Sequence, residues 1–192
     1  MPPGRYRLVL TLGDRHHTVP AIILPDPRVE ATPEDYQAQF QILLEIRALV
    51  TAIHAAVSRL RQARARIAAW VAPLEASAAA APVRHAALAL IDRLSASEEI
   101  LAQPRLTNRS GELSSSHFPI RLNGKLESLA STIAGCDARP TAQAQAAFAS
   151  LAARATAELQ TARERTTVEV AHLDQRIREA GLPTIAPLPD GG

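Results

Sequence analysis

The longest sustained pattern in the chain runs from Thr32 to Leu74. Read as a heptad, it puts Tyr36, Leu43, Val50, Val57, Arg64 and Val71 at one seam position. Gln39, Ile46, Ile53, Leu60, Ile67 and Leu74 take the other, and Ile42, Leu49 and Ala56 widen the stripe. A pattern held this long predicts one continuous helix, roughly 60 Å long at ~1.5 Å per residue. Such a helix cannot bury its stripe alone, so other helices must cover it along its length. Its start is well marked: Thr32 suits the N-cap, Pro33 the first helical position, and Glu34 and Asp35 complement the free N–H groups of the first turn. Its end is soft, at Pro73 and the alanine-rich run from Ala76 to Ala81.

The remaining residues fit the role of covers. Hydrophobic residues make up 47% of the 192 and aromatics only 3%. A chain so rich in alanine and poor in rings favours closely approaching helices over a sheet sandwich. A second helix is expected from about Pro82, with Val83, Ala87, Leu90, Leu94 and Leu101 on one face, stopping before Pro104. Gln103 to Pro119 is polar and irregular, with Leu106, Leu113 and Phe118 as anchors. A third helix follows from Ile120 to about Gly135 on Leu122, Leu126, Leu129 and Ile133. A fourth runs from Thr141 to Ala180 on Phe148, Leu151, Ala155, Leu159, Ala162, Thr166, Val170, Leu173 and Ile177. Gly181 stands where a C′ glycine belongs and Pro183 stops any continuation. The expected fold is mainly α: an antiparallel up-down-up-down four-helix bundle over residues 29–183, with a loose tail at 184–192.

Residues 4–24 read differently. Tyr6, Leu8, Leu10 and Leu12 alternate with Arg5, Arg7, Val9 and Thr11, the period of a half-buried strand. Gly13-Asp14 offers a tight turn before a second extended run through Thr18-Val19 and Ala21 to Leu24, interrupted by Pro20. A β-hairpin over residues 1–28 is predicted, ended by Pro25-Asp26-Pro27-Arg28. In an up-down-up-down order the start of the first helix, the start of the third and the end of the fourth share one end with the hairpin. A lone ribbon is marginal, so Leu8, Leu10, Ile22 and Leu24 need cover. Phe118, a neighbouring sheet or a second copy of the chain could supply it, which makes these five residues the expected interaction surface.

The order of hairpin, Asp26-Pro27-Arg28, long capped helix, Phe118-Pro119-Ile120-Arg121-Leu122-Asn123-Gly124-Lys125-Leu126 and Arg139-Pro140-Thr141-Ala142-Gln143 resembles a known architecture. It is similar to the C-terminal region of large secreted bacterial BNR-repeat proteins, the sialidase- and sortilin-like β-propellers often labelled glycosyl hydrolases. The resemblance covers nearly the whole chain. It implies that the hairpin is the last piece of an Ig-like β-domain, that a propeller lies upstream, and that the location is extracellular or periplasmic. Its motifs are structural, and this chain has neither the propellers nor most of the Ig-like domain, so the hydrolase label carries onto no residue here.

Nothing in the residues themselves spells a reaction. The single cysteine, Cys136, rules out an internal disulfide and a cysteine-built zinc site. The histidines at 16, 17, 54, 85, 117 and 172 have no metal-ligand spacing. Ser114-Ser115-Ser116-His117 sets a hydroxyl beside an imidazole with no strand-turn-helix elbow around them, and Glu98-Glu99, Glu164 and Glu169 read as scattered carboxylates. Basic residues number 21 against 19 acids, a net of +2, too balanced to declare a nucleic-acid binder. Arg59, Arg61 and Arg66 form the densest basic patch and are weak anion-binding candidates, while Arg64 faces the seam. The N-terminus has no apolar leader core, and no window approaches the ~18–20 apolar residues of a membrane span. The reading is a non-enzymatic structural or interaction module without cofactor. Its partners would be the upstream propeller and Ig-like domains, another protein, or a second copy through the hairpin. The alternatives are an accessory domain of a glycoside hydrolase and a basic helical module for anionic polymers.

Overall fold

The computed structural model describes residues 1–74, 80–103 and 119–185, and 69% of them are helical. Strands β1 (Gly4–Leu12) and β2 (Arg15–Ile23) form a two-stranded antiparallel hairpin. Gly13 holds φ 57° at the first loop position, a conformation that glycine adopts without a Cβ clash. Helix α1 follows as Pro33–Val71 and tightens into a single 3₁₀ turn at Ala72–Leu74. Then come α2 (Ala81–Leu101) and α3 (Leu122–Ala134). The fourth helix is continuous in two parts, α4 (Ala142–Glu164) and α5 (Val170–Glu179), joined by one wide π turn at Arg165–Glu169.

The start of α1 follows its residues. The Thr32 hydroxyl accepts from the Asp35 amide, and the Asp35 carboxylate accepts from the Thr32 amide at 3.0 Å, a reciprocal cap that satisfies two exposed donors. Most of the expected stripe is buried: Tyr36, Val57 and Val71 of one seam position, Gln39, Ile46, Ile53, Leu60 and Ile67 of the other, and Ile42 and Ala56 beside them. Ala63 and Trp70, outside the expected stripe, are buried as well. Leu43, Val50 and Arg64 sit half exposed at the margin. Small residues at Ala56 and Ala63 let neighbouring helices approach on that side.

Hydrogen bonds fix the sense of each cover. Arg84 bonds the Leu74 carbonyl, Arg64 bonds Ser95 and Arg61 bonds Glu98, so α2 runs against α1 along its C-terminal half. The Gln39 side chain donates to the carbonyls of Ile133 and Cys136, so α3 brings its last turn to the start of α1 and also runs against it. Arg139 pairs with Asp35 at one end, and the Trp70 indole donates to the Pro183 carbonyl at the other, so α4 and α5 run parallel to α1. The up-down-up-down order is thereby corrected. The end of α3 and the start of α4, not the reverse ends, flank the beginning of α1. With 21 and 13 residues against 39, α2 and α3 are each too short to cover α1, and they share the task in series.

Residue 185 also departs from expectation. Ile185 is buried with the core, past the expected start of the tail at Thr184, and the rest of the expected tail, 186–192, lies outside the described residues. Pro33–Leu74 is long and apolar enough to cross a membrane by length and composition, with a mean hydropathy of 1.5 in its most apolar 18 residues. This corrects the expectation of no such window, which counted unbroken apolar residues, whereas the mean tolerates Glu45 and Arg47. A core helix passes the same test, and Ile46, Ile53, Leu60 and Ile67 lie in the core formed with the neighbouring helices.

Candidate functional site

Three places carry more than packing: the hairpin, the cleft at its base, and an ion cluster between α1 and α2. The hairpin register pairs Tyr6 with Ala21, Leu8 with Val19, Leu10 with His17 and Leu12 with Arg15. Directly opposed residues share a face, so Tyr6, Leu8, Leu10, Leu12, Val19, Ala21 and Ile23 form one mainly apolar face, with His17 and Arg15 on it near the turn. The other face pairs Arg5 with Ile22, Arg7 with Pro20, Val9 with Thr18 and Thr11 with His16. Leu8, Leu10, Ile22 and Leu24 are all exposed, but the register puts Ile22 on the polar face, away from Leu8 and Leu10. That is a correction: period-2 alternation runs separately in each strand, and only the pairing decides which residues of the two strands meet. Leu10 and Leu12, at 71% and 78% exposure, face solvent in this chain. Phe118, the expected cover, lies outside the described residues, as do Ser114, Ser115, Ser116 and His117.

At the hairpin base, Ile23, Leu24, Pro25 and Asp26 meet Tyr36, Gln39, Phe40 and Leu43 of α1 and Asp137 beyond α3 around a cleft of about 280 Å³. Asp26 is held by its own motif: the Arg28 amide donates to Oδ1 at 2.9 Å and Arg28 Nη2 to Oδ2 at 2.7 Å. The Arg28 side chain keeps the Asp26 carboxyl below its ordinary value. Tyr36 is 7% exposed and its hydroxyl has no hydrogen-bond partner among the described residues. Burial, then the charges of Asp137 and Asp26, raise its pKa above the ordinary 10.0. On the far side of the same end, the Arg139 guanidinium and the amide and hydroxyl of Thr32 lower the Asp35 carboxyl to about 2.

The ion cluster was not legible from spacing. Glu98 is 1% exposed, with Arg61 Nε on Oε1 at 2.6 Å and Arg64 Nη1 on Oε2 at 2.9 Å. Beside it, Arg165 donates to the buried Ser97 hydroxyl and to the Arg93 carbonyl, both at 2.6 Å, and Arg93 pairs with Glu169 at 2.8 Å. The reading of Glu98 as a scattered carboxylate is overturned, and Arg61 is committed to it rather than open to an anion. Arg59 is exposed beside a groove shared with Thr156, Leu159 and Arg163, and Arg66 is half buried. The three basic candidates are therefore not one surface.

Among the histidines, His16 meets the Thr11 hydroxyl at 3.0 Å, His17 faces Leu10, His54 and His85 are exposed, and His172 lines a groove with Arg93 and Glu169. Among the described residues no group of three or more His, Cys, Asp or Glu is placed to hold a metal ion. No protein-family model matches the chain, and no curated protein or solved structure matches it.

Proposed function

We propose that this chain is a non-catalytic structural and interaction module: its helices close into a rigid bundle that presents the hairpin as a docking element for other β-structure. The observation that carries the reading is the solvent-facing apolar side of the ribbon, Tyr6, Leu8, Leu10, Leu12 and Val19. A two-stranded ribbon in water is marginal without cover, and exposed apolar patches of this kind belong to interfaces. The resemblance to the end of an Ig-like domain and the helical region that follows it in secreted propeller proteins supplies the partner: the rest of that β-domain, in an extracellular or periplasmic protein. The same face then drives self-association when the partner is absent.

The test is light scattering and sedimentation on the full chain beside a chain starting at Val29. The full chain is expected to associate with rising concentration and the shortened one to stay monomeric. Equal monomeric behaviour and equal stability of the two would remove the support for a docking hairpin.

A further inference from the structure

The two edges of the hairpin are not equivalent. Only Gly13 and Asp14 separate the strands, so the closing pair, Leu12 with Arg15, exchanges both of its backbone hydrogen bonds. Such narrow pairs recur at every second position: Leu10 with His17, Leu8 with Val19, Tyr6 with Ala21 and Gly4 with Ile23. The residues between them turn their N–H and C=O groups out of the ribbon. On β1 these are Arg5, Arg7, Val9 and Thr11, and on β2 they are His16, Thr18, Pro20 and Ile22. Pro20 has no N–H to offer, and its ring stands where the donor would be, so β2 cannot take a continuous added strand. The β1 edge is unbroken. Residues 7–20 are exposed throughout, and among the described residues no third strand pairs with either edge. The side chains along β1 carry charge of one sign: Arg5 and Arg7 stand on its polar face, and neither has a hydrogen bond or ion pair among the described residues.

We propose that β1 takes an added antiparallel strand from a partner protein along this edge, a strand that alternates acidic with apolar residues. Only an extended backbone matches a row of donors and acceptors at every second residue. Opposite charges directly across a pair stabilise it and like charges destabilise it. The partner residues facing Arg5 and Arg7 are therefore Asp or Glu, and those between them, on the side of Tyr6 and Leu8, are apolar. A second copy of the hairpin brings no such acids, since neither β1 nor β2 contains one. This mode of docking rests on the reading of the hairpin as a docking element, but it uses the β1 edge rather than the apolar face.

The experiment is residue-by-residue amide hydrogen exchange on the full ¹⁵N-labelled chain, at a concentration where scattering gives the monomer mass. The probe is the peptide acetyl-Thr-Val-Thr-Val-Glu-Val-Glu-amide, and its control carries Lys in place of both Glu. Saturable binding of the acidic peptide is expected, with exchange at the Arg5, Arg7, Val9 and Thr11 amides slowed at least about tenfold and that at His16, Thr18 and Ile22 unchanged within about twofold. The lysine peptide is expected to bind at least about fivefold more weakly, the swing of two cross-strand pairs from attraction to repulsion. Val9 and Thr18 face each other across one wide pair, so Val9→Pro and Thr18→Pro each remove an outward N–H, as Pro20 does already, and leave the ladder's own bonds in place. Val9→Pro is expected to weaken the acidic peptide at least about fivefold, the size of one lost backbone hydrogen bond with its acceptor unpaired, and Thr18→Pro to leave it within about twofold. Protection on β2, equal binding of the two peptides, or equal effects of the two prolines overturns the proposal. So does protection of the outward β1 amides in the free chain, which would mean that a second copy or another part of the chain holds the edge. Absence of peptide binding in a chain that still self-associates through the hairpin overturns the edge and leaves the docking face standing, whereas loss of both removes the docking reading itself.

Discussion

Arg61 on α1 donates through Nε to Oε1 of Glu98 on α2 at 2.6 Å, and Glu98 is buried while the Arg61 side chain keeps 43% of its exposure. The two ends of this bond therefore answer differently to removal. Taking away Glu98 leaves Arg61 and Arg64 free to turn into water, whereas taking away both arginines leaves a carboxylate buried without a counter-charge. Arg61→Ala with Arg64→Ala should cost about 3–5 kcal/mol, the range for breaking a buried pair from one side. Glu98→Leu should cost far less, within about 1 kcal/mol of the wild type, since apolar replacements of buried ions are often neutral. Urea unfolding midpoints measure both, and equal losses in the two variants would show that the asymmetry in burial has no energetic weight.

Asp35 gives the fold a defined acid dependence. Its pKa falls from 3.8 to about 2 in the folded chain, chiefly through the Arg139 side chain, then through Thr32. A carboxylate with a depressed folded pKa stabilises above its unfolded value and loses that stabilisation as pH falls through the folded one. The stability gap between wild type and Asp35→Asn should thus be constant from pH 7 to about 4 and close between about 4 and 2. The check is a series of urea melts across that interval. A gap still open at pH 2 would mean that the ion pair and cap are not what Asp35 contributes.

Much of this architecture follows from local signals. The cap at Thr32 and Asp35 and the turn at Gly13-Asp14 are legible because each is decided by residues within a few positions. So are the stripes of α2 and α3. The order of the helices is not legible, because whether the first or last turn of α3 meets Gln39 depends on the length of connection and on two short helices sharing one long one. That Ala63 and Trp70 are buried while Leu43, Val50 and Arg64 stay half exposed is likewise a tertiary choice. The π turn at Arg165–Glu169 did leave a signal: Thr166 and Thr167 are consecutive β-branched residues whose hydroxyls bond back to Ala162 and Arg163, and such back-bonding disturbs the helical ladder. Glu98 left none, since its partners lie 37 and 34 residues away by number, at Arg61 and Arg64. The cleft around Tyr36 was also invisible, because Asp26 stands before α1 and Asp137 after α3, with three helices between them in sequence.

Trp70, the single tryptophan, reports on the segment that follows α5. Its indole N–H donates to the Pro183 carbonyl, and Ile185 is buried in the same core. Ile185→Ala should cost about 2 kcal/mol, the lower end of large-to-small losses, because Ile185 lies outside the helices and its backbone can settle into the space left. Ending the chain at Gly181 should cost more and shift Trp70 emission to the red as water reaches the ring. Unchanged emission from the shortened chain would show that Trp70 stays covered without this segment.

The register of the hairpin makes a sharper prediction than its composition. Leu10 and Ile22 are both apolar and exposed, at 71% and 63%, so neither substitution should disturb the helical core. They stand on opposite faces, Leu10 across from His17 among Leu8 and Leu12, and Ile22 across from Arg5 beside Arg7. If face-to-face packing of the apolar sides drives self-association, Leu10→Lys removes buried area from both copies of a two-fold pair and adds a charge to each. Burying one leucine is worth about 1.5–3 kcal/mol, and two-fold symmetry counts the loss twice, so association should weaken by at least about a hundredfold. Ile22→Lys should leave it within about threefold, because its face already carries Arg5 and Arg7. Sedimentation equilibrium over a concentration series compares the two. An equal effect of both substitutions, or of neither, would indicate that copies join along the open strand edges through backbone hydrogen bonds, and the apolar face would lose its place as the docking surface.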